Sequence, residues 1–246
     1  MGGKHNYFGV STLLWVFVLA VGGTSGAEPP HDSTRAELQT GTIEGVVIYE
    51  SDRLRPWRYR RNYVRSRTQG ELAEAVVSLI RGDQSLPRSE AANKKAVVDQ
   101  KDYNFTPETQ AVYVGTEVTF TNSDPFLHDV TAKCSSQQFS IGLRQFDKAT
   151  RVLNEAGGLD DPLTLTCAFH SAMRGWIFIF DHTCFAVTDE SGKFRLSNVP
   201  VGKQTVVVVH PAGQLRLERE VEIKPNEITR VEMRLSPDHL TAERDQ

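Results

Sequence analysis

Residues 164–178 read TLTCAFHSAMRGWIF. Two β-prone apolar runs, residues 162–168 and 174–181, enclose a short loop. The loop carries Cys167, then His170 three residues on, then Met173 three after that. The chain has only three cysteines and three methionines in 246 residues, so their meeting around one histidine sets the question of its chemistry. A strand-loop-strand brings all three side chains to one end of a sheet.

Working outward, the rest of the chain is punctuated in the same way. Apolar runs rich in Val, Ile, Thr and Phe occupy residues 42–49, 73–80, 96–98, 111–121, 193–196, 204–210, 215–223 and 228–235, with turn signals between them. Such close spacing predicts an all-β sandwich architecture, and no long helical period competes with it. Alternation is clearest in TRVEMRL, residues 229–235.

A thiolate, an imidazole and a thioether form a soft donor set. With a second imidazole they make the trigonal His2Cys site with a weak axial methionine that suits copper in both oxidation states. The second histidine must come from elsewhere. His128 is well placed, following VTFTNSDPFL and preceding a short apolar stretch, while His182 sits at the far end of its strand. Zinc also takes Cys and His at this spacing, and a methionine between strands also serves as core filler. Ligand softness favours copper over zinc.

These residues carry a family resemblance. CAFHSAMRG, with its C-x2-H-x2-M spacing, resembles the short ligand loop of cupredoxins such as amicyanin. Phe105-Thr106-Pro107 and VYVGTEVTFTNSDPFLHDV extend the likeness over about residues 96–181, toward exported plastocyanin-like proteins of methylamine utilisation. The resemblance implies a cupredoxin Greek-key β-sandwich with one type 1 copper held by His128, Cys167, His170 and Met173. One position departs: Asp129 stands where such proteins usually carry Asn after the first histidine. That side chain is expected to tie the ligand loops together, and its charge to lower the reduction potential.

The C-terminal stretch FAVTDESGKFRLSNVPVGKQ is similar to a second family, the carboxypeptidase regulatory-like β-sandwich. Residues 189–192 would form a hairpin turn and residues 199–202 a second turn. The opening strands of that family resemble IEGVVIY and AEAVVSL, upstream of the copper segment. A split domain follows: 42–83 and 184–236 form one small sandwich, with the cupredoxin, 95–183, inserted between its strands. Two sequential domains are the alternative. The polar tail, 237–246, is expected to fray.

The N-terminus begins with Lys4, continues with the apolar run FGVSTLLWVFVLAV at residues 8–21, and ends in Ser25-Gly26-Ala27. This pattern predicts a signal peptide, 1–27, followed by a linker, 28–41, and a periplasmic or secreted protein. The run is short for a membrane span, so no stable span is expected after cleavage. Export makes a Cys134–Cys184 disulfide possible, and the sequence leaves that pairing open.

Residues 53–67, RLRPWRYRRNYVRSR, interleave basic and aromatic residues. In an exported chain of net charge −3 this reads as a solvated loop or as a docking surface for an acidic partner or an anionic membrane, not for nucleic acid. The expected function is single-electron transfer to a redox partner that docks near the copper loop or this basic stretch. Copper storage or delivery, and a surface interaction protein with a structural or vestigial metal, are the alternatives. An enzyme is not expected. The seven histidines include no H-x-H pair for further coppers, and neither G-x-S-x-G nor H-E-x-x-H occurs.

Overall fold

The computed structural model describes residues 39–50, 63–64, 69–80, 86–88 and 94–241. The leader, nearly all of the linker, the end of the tail, and the basic stretch apart from Tyr63 and Val64 lie outside the described residues. In chain order the strands are β1 (Thr40–Tyr49), β2 (Val76–Leu79), β3 (Lys95–Lys101), β4 (Asn104–Thr106), β5 (Thr109–Tyr113), β6 (Thr116–Asn122), β7 (His128–Lys133) and β8 (Gln138–Leu143). They continue as β9 (Lys148–Leu153), β10 (Leu163–Thr166), β11 (Arg174–Phe180), β12 (Phe185–Val187), β13 (Lys193–Pro200), β14 (Gly202–His210), β15 (Leu215–Ile223) and β16 (Ile228–Leu235). The all-β expectation holds, and among the described residues no helix is long and apolar enough to cross a membrane.

Strands β3 to β11 pair only among themselves. One sheet runs β5-β11-β10-β7-β8 and the other β4-β3-β6-β9. Val98, Phe105, Val118, Phe120 and Leu153 of the second sheet meet Val130, Leu143, Leu165, Ile177 and Ile179 of the first in one buried core. Cys167 and Met173 belong to that core. The apolar run at 111–121 is two strands, not one. β5 pairs in parallel with β11, and β6 pairs with β3 and β9. The chain changes sheets at Gly115, whose φ of +83° suits a residue without a Cβ.

The remaining strands build a second pair of sheets, β13-β1-β16 and β12-β2-β14-β15. Ile43, Val47, Phe194, Leu196 and Met233 of one meet Val77, Leu79, Val206, Val208 and Ile223 of the other. Gly45 lies directly under the Phe194 ring, where a Cβ would come within 2.5 Å of it. The turn at Asp189–Gly192 is present, with the Gly192 amide donating to the Asp189 carbonyl at 2.9 Å. It is not a hairpin: β12 and β13 sit in different sheets, so the turn carries the chain across the core.

Residues 236–241 also depart from the frayed tail expected. Pro237–His239 forms a capped 3-10 turn, Leu240 bridges to Leu215, and the Thr241 amide donates to the Gln214 carbonyl. All three cysteines are free thiols, so the Cys134–Cys184 bridge is not made. Cys184 is buried in the core of the second sheet pair, and Cys134 flanks the core of the first.

A third apolar cluster joins the two sheet pairs. Phe178 and Phe180 of β11 pack with Val76 of β2, alongside Trp176, Phe185 and Val209. β11 is therefore buried on both faces, with Ile177 and Ile179 pointing into one core and Phe178 and Phe180 into the junction. This is why RGWIFIF is apolar without alternation.

Candidate metal centre

Cys167 follows β10 directly. The His170 amide donates to the Cys167 carbonyl at 3.3 Å, and the Met173 amide to the His170 carbonyl at 2.9 Å. Two successive turns thus compress the loop between β10 and β11, which are themselves paired from Leu163↔Ile177 to Thr166↔Arg174. His128 opens β7, the other neighbour of β10. Three adjacent strands therefore deliver the side chains to one end of the sheet.

Sγ of Cys167 lies 3.8 Å from Nδ1 of His128 and 3.7 Å from Nδ1 of His170, and the two nitrogens are 3.0 Å apart. Cys167 and His128 are buried and His170 is half-buried. Met173 is fully buried, three residues after His170. His182 is elsewhere, with its ring near Phe180 and Phe185.

The donors fit a small, soft ion. A first-row ion bonded at about 2.0 Å to nitrogen and about 2.3 Å to sulfur in a trigonal plane sets sulfur and nitrogen about 3.7 Å apart. The two sulfur–nitrogen distances already match, and the nitrogens would part by about half an ångström to match as well. Soft sulfur with two imidazoles suits copper better than a hard cation.

The surroundings fix this arrangement. The Asp129 amide donates to the Cys167 sulfur at 3.4 Å. Contrary to the expected role, the Asp129 carboxylate does not reach the ligand loop. It accepts hydrogen bonds from the hydroxyls of Thr131 and Ser140, on β7 and β8.

Two further residues escaped the sequence reading. Asp124 accepts from Nε2 of His128 at 2.9 Å, and its carboxylate also accepts the amides of Asp102 and Tyr103. Burial raises this carboxyl, but the Tyr103 amide, His128 and the Asp102 amide together outweigh burial and hold it below the usual range. The Tyr103 ring sits edge-on to both imidazoles, 5.7 Å from His128 and 5.0 Å from His170 between ring centres. The NSDP turn signalled a loop here, but nothing in its spacing marked Asp124 as a partner of His128.

Phe126, Leu127 and Phe169 are exposed beside this end of the sheet, and Phe126 stacks on Tyr103.

No protein-family model and no curated protein matches the chain. Among solved structures, it is similar to a purple cupredoxin from Nitrosopumilus maritimus, at 22% identity over 35% of this chain and 99% of that one, with a TM-score of 0.30. It is similar to amicyanin from Paracoccus versutus, at 17% identity over 42% of this chain and 97% of that one, with a TM-score of 0.32. It is also similar to a copper-containing nitrite reductase from Thermus scotoductus SA-01, at 20% identity, over 41% of this chain but only 24% of that one, with a TM-score of 0.32.

Proposed function

We propose that this chain is an exported type 1 copper protein that carries single electrons through one site, with His128, Cys167 and His170 as ligands and Met173 as a weak fourth. The observation that carries the reading is the convergence of one cysteine sulfur and two imidazole nitrogens within 3.0–3.8 Å, at the end of a paired sheet. Copper bound there supplies a reversible one-electron couple, because thiolate suits Cu(I) and imidazole suits Cu(II).

The chain's own residues do the rest. β7, β10 and β11 hold the donors on a hydrogen-bonded frame, which keeps rearrangement between the two oxidation states small. Burial of Cys167, His128 and Met173 keeps water from the sulfur donors. His170 alone of the four is half-open to solvent, so its edge is the natural port for electrons. The exposed Phe126, Leu127 and Phe169 around it offer an apolar face to a partner redox protein. Buried donors suit an electron carrier better than an enzyme that must admit a substrate to the metal.

In this reading residues 1–27 are a removable leader, 95–183 the electron-carrying module, and 42–83 with 184–236 a split regulatory-like sandwich that presents it. The basic stretch at 53–67 is a second candidate docking element. The test is the visible spectrum of the purified chain with added Cu(II). An intense thiolate-to-copper band, absent in Cys167→Ser, is expected. A colourless protein that binds zinc or nothing overturns the proposal, and copper that passes readily to a chelator without a reversible one-electron wave turns it toward delivery.

A further inference from the structure

We infer that Asp124 is the positioning residue of this site: one buried carboxylate fixes the tautomer of His128 and holds the Tyr103 ring against both imidazoles. The inference rests on reading His128, Cys167 and His170 as the copper ligands.

His128 has two ring nitrogens with opposed tasks. Nδ1 faces Cys167 and His170, and Nε2 lies 2.9 Å from Oδ2 of Asp124. An ionised carboxylate only accepts hydrogen bonds, so Nε2 carries the proton and Nδ1 presents a lone pair to the sulfur side. Without such a partner the imidazole would divide between two tautomers, one of which blocks Nδ1 with a proton. A carboxylate on the far nitrogen also makes the imidazole a stronger donor, which favours the more positively charged oxidation state of a bound metal.

The carboxylate cannot swing away. Oδ1 accepts the Asp102 amide at 2.8 Å, Oδ2 accepts the Tyr103 amide at 3.0 Å, and the Asp124 amide donates to Oδ1 of Asn122 at 2.9 Å. Nδ2 of Asn122 in turn donates to the carbonyls of Phe126 and Leu143. The same two amides belong to an unusual turn. Asp102 and Tyr103, between β3 and β4, both have positive φ, at +52° and +57°. Two-residue hairpin turns of this kind favour Asn-Gly or Asp-Gly, and a tyrosine is costly there. Asp124 satisfies both turn amides, and the turn in exchange aims the Tyr103 ring at His128 and His170. Ligand tautomer, aromatic cover and local charge thus depend on one side chain.

Asp124→Asn separates these roles from bulk. It keeps the shape but removes the charge, and its amide nitrogen meets an N–H donor where an oxygen stood. In the full chain loaded with Cu(II), the redox equilibrium is expected to move about tenfold toward Cu(I), about 59 mV for a one-electron couple. Cu(II) affinity, measured against a competing chelator, is expected to fall about 10–100-fold. Nitrogen NMR of the metal-free chain should show the Nε2–H tautomer of His128 in the wild type and a mixture in Asp124→Ala, which leaves Nε2 without its acceptor, with Asp124→Glu keeping part of the Nε2–H form. A wild type with a thiolate band beside an Asp124→Asn variant of unchanged potential and affinity overturns the inference. A wild type without that band overturns the copper reading instead. In that case the metal-free tautomers still decide, since an unaltered Nε2–H form in Asp124→Ala refutes the role of Asp124.

Discussion

The backbone amide of Asp129 meets the sulfur of Cys167 at 3.4 Å, across 38 residues of chain, while the Asp129 side chain turns the other way to the hydroxyls of Thr131 and Ser140. Backbone and side chain therefore do different work. The amide fixes the sulfur, and any residue but proline supplies it. The carboxylate supplies charge and an anchor between β7 and β8.

Asp129→Asn tests that division. Hydroxyls both donate and accept, so Thr131 and Ser140 can re-pair with an amide. Stability in urea is expected to stay within about 1 kcal/mol of the wild type. The midpoint potential should rise, because a negative charge near the sulfur is gone. An unchanged potential would show that the two hydroxyls already neutralise that charge at the metal.

Phe178 is fully buried between the two sheet pairs, against Val76, on the face of β11 opposite the ligand-bearing core. Phe178→Ala leaves a cavity there and is expected to cost about 3–5 kcal/mol, read from denaturant unfolding. The thiolate-to-copper band should survive wherever the protein remains folded. Loss of the band in folded protein would show that the junction, and not only the ligand sheet, shapes the site.

Much of this arrangement was legible in local spacing. Cys167, His170 and Met173 are a few residues apart between two paired strands, so adjacency in sequence is adjacency in space. β15 and β16 fell where their apolar and turn residues placed them. β9 is illegible because Lys148–Leu153 buries only its last residue, which leaves little apolar pattern to read, whereas Phe139, Ile141 and Leu143 of β8 alternate and do carry a strand signal. Asp124 was illegible for another reason. Its role depends on the β3–β4 turn folding over the loop before His128, and nothing in SDP announces that contact. The consecutive apolar residues of β11, and Val206 to Val208 of β14, did carry a signal of burial on both faces.

His210 is buried, its Nδ1 accepts the Gly213 amide, and the Tyr63 ring stands edge-on 4.7 Å away. Burial, only partly offset by the backbone carbonyl of Ala73, pushes its pKa down to about 4 from 6.5. The unfolded chain therefore binds a proton between these values and the folded chain does not, so the contribution of this histidine to stability is lost as pH drops from about 6.5 to about 4 and is constant above. The loss is on the order of 3 kcal/mol. Urea midpoints measured across that window should slope in the wild type, and the slope should flatten in His210→Gln. An equal slope in the variant would assign the acid sensitivity to other groups.

Cys184 gives the opposite dependence. Burial pushes its thiol up to about 12, so the folded chain keeps the proton that an unfolded chain loses above about 9. Stability should decline as pH rises through that range, and the native thiol should resist reagents that attack thiolates. Cys134, only partly buried beside Ser136, is expected to label first in the metal-free native chain, with Cys184 labelling only on unfolding. Mass mapping of alkylated peptides at pH 8 distinguishes the two. Rapid native labelling of Cys184 would mean that the core of the second sheet pair opens on its own.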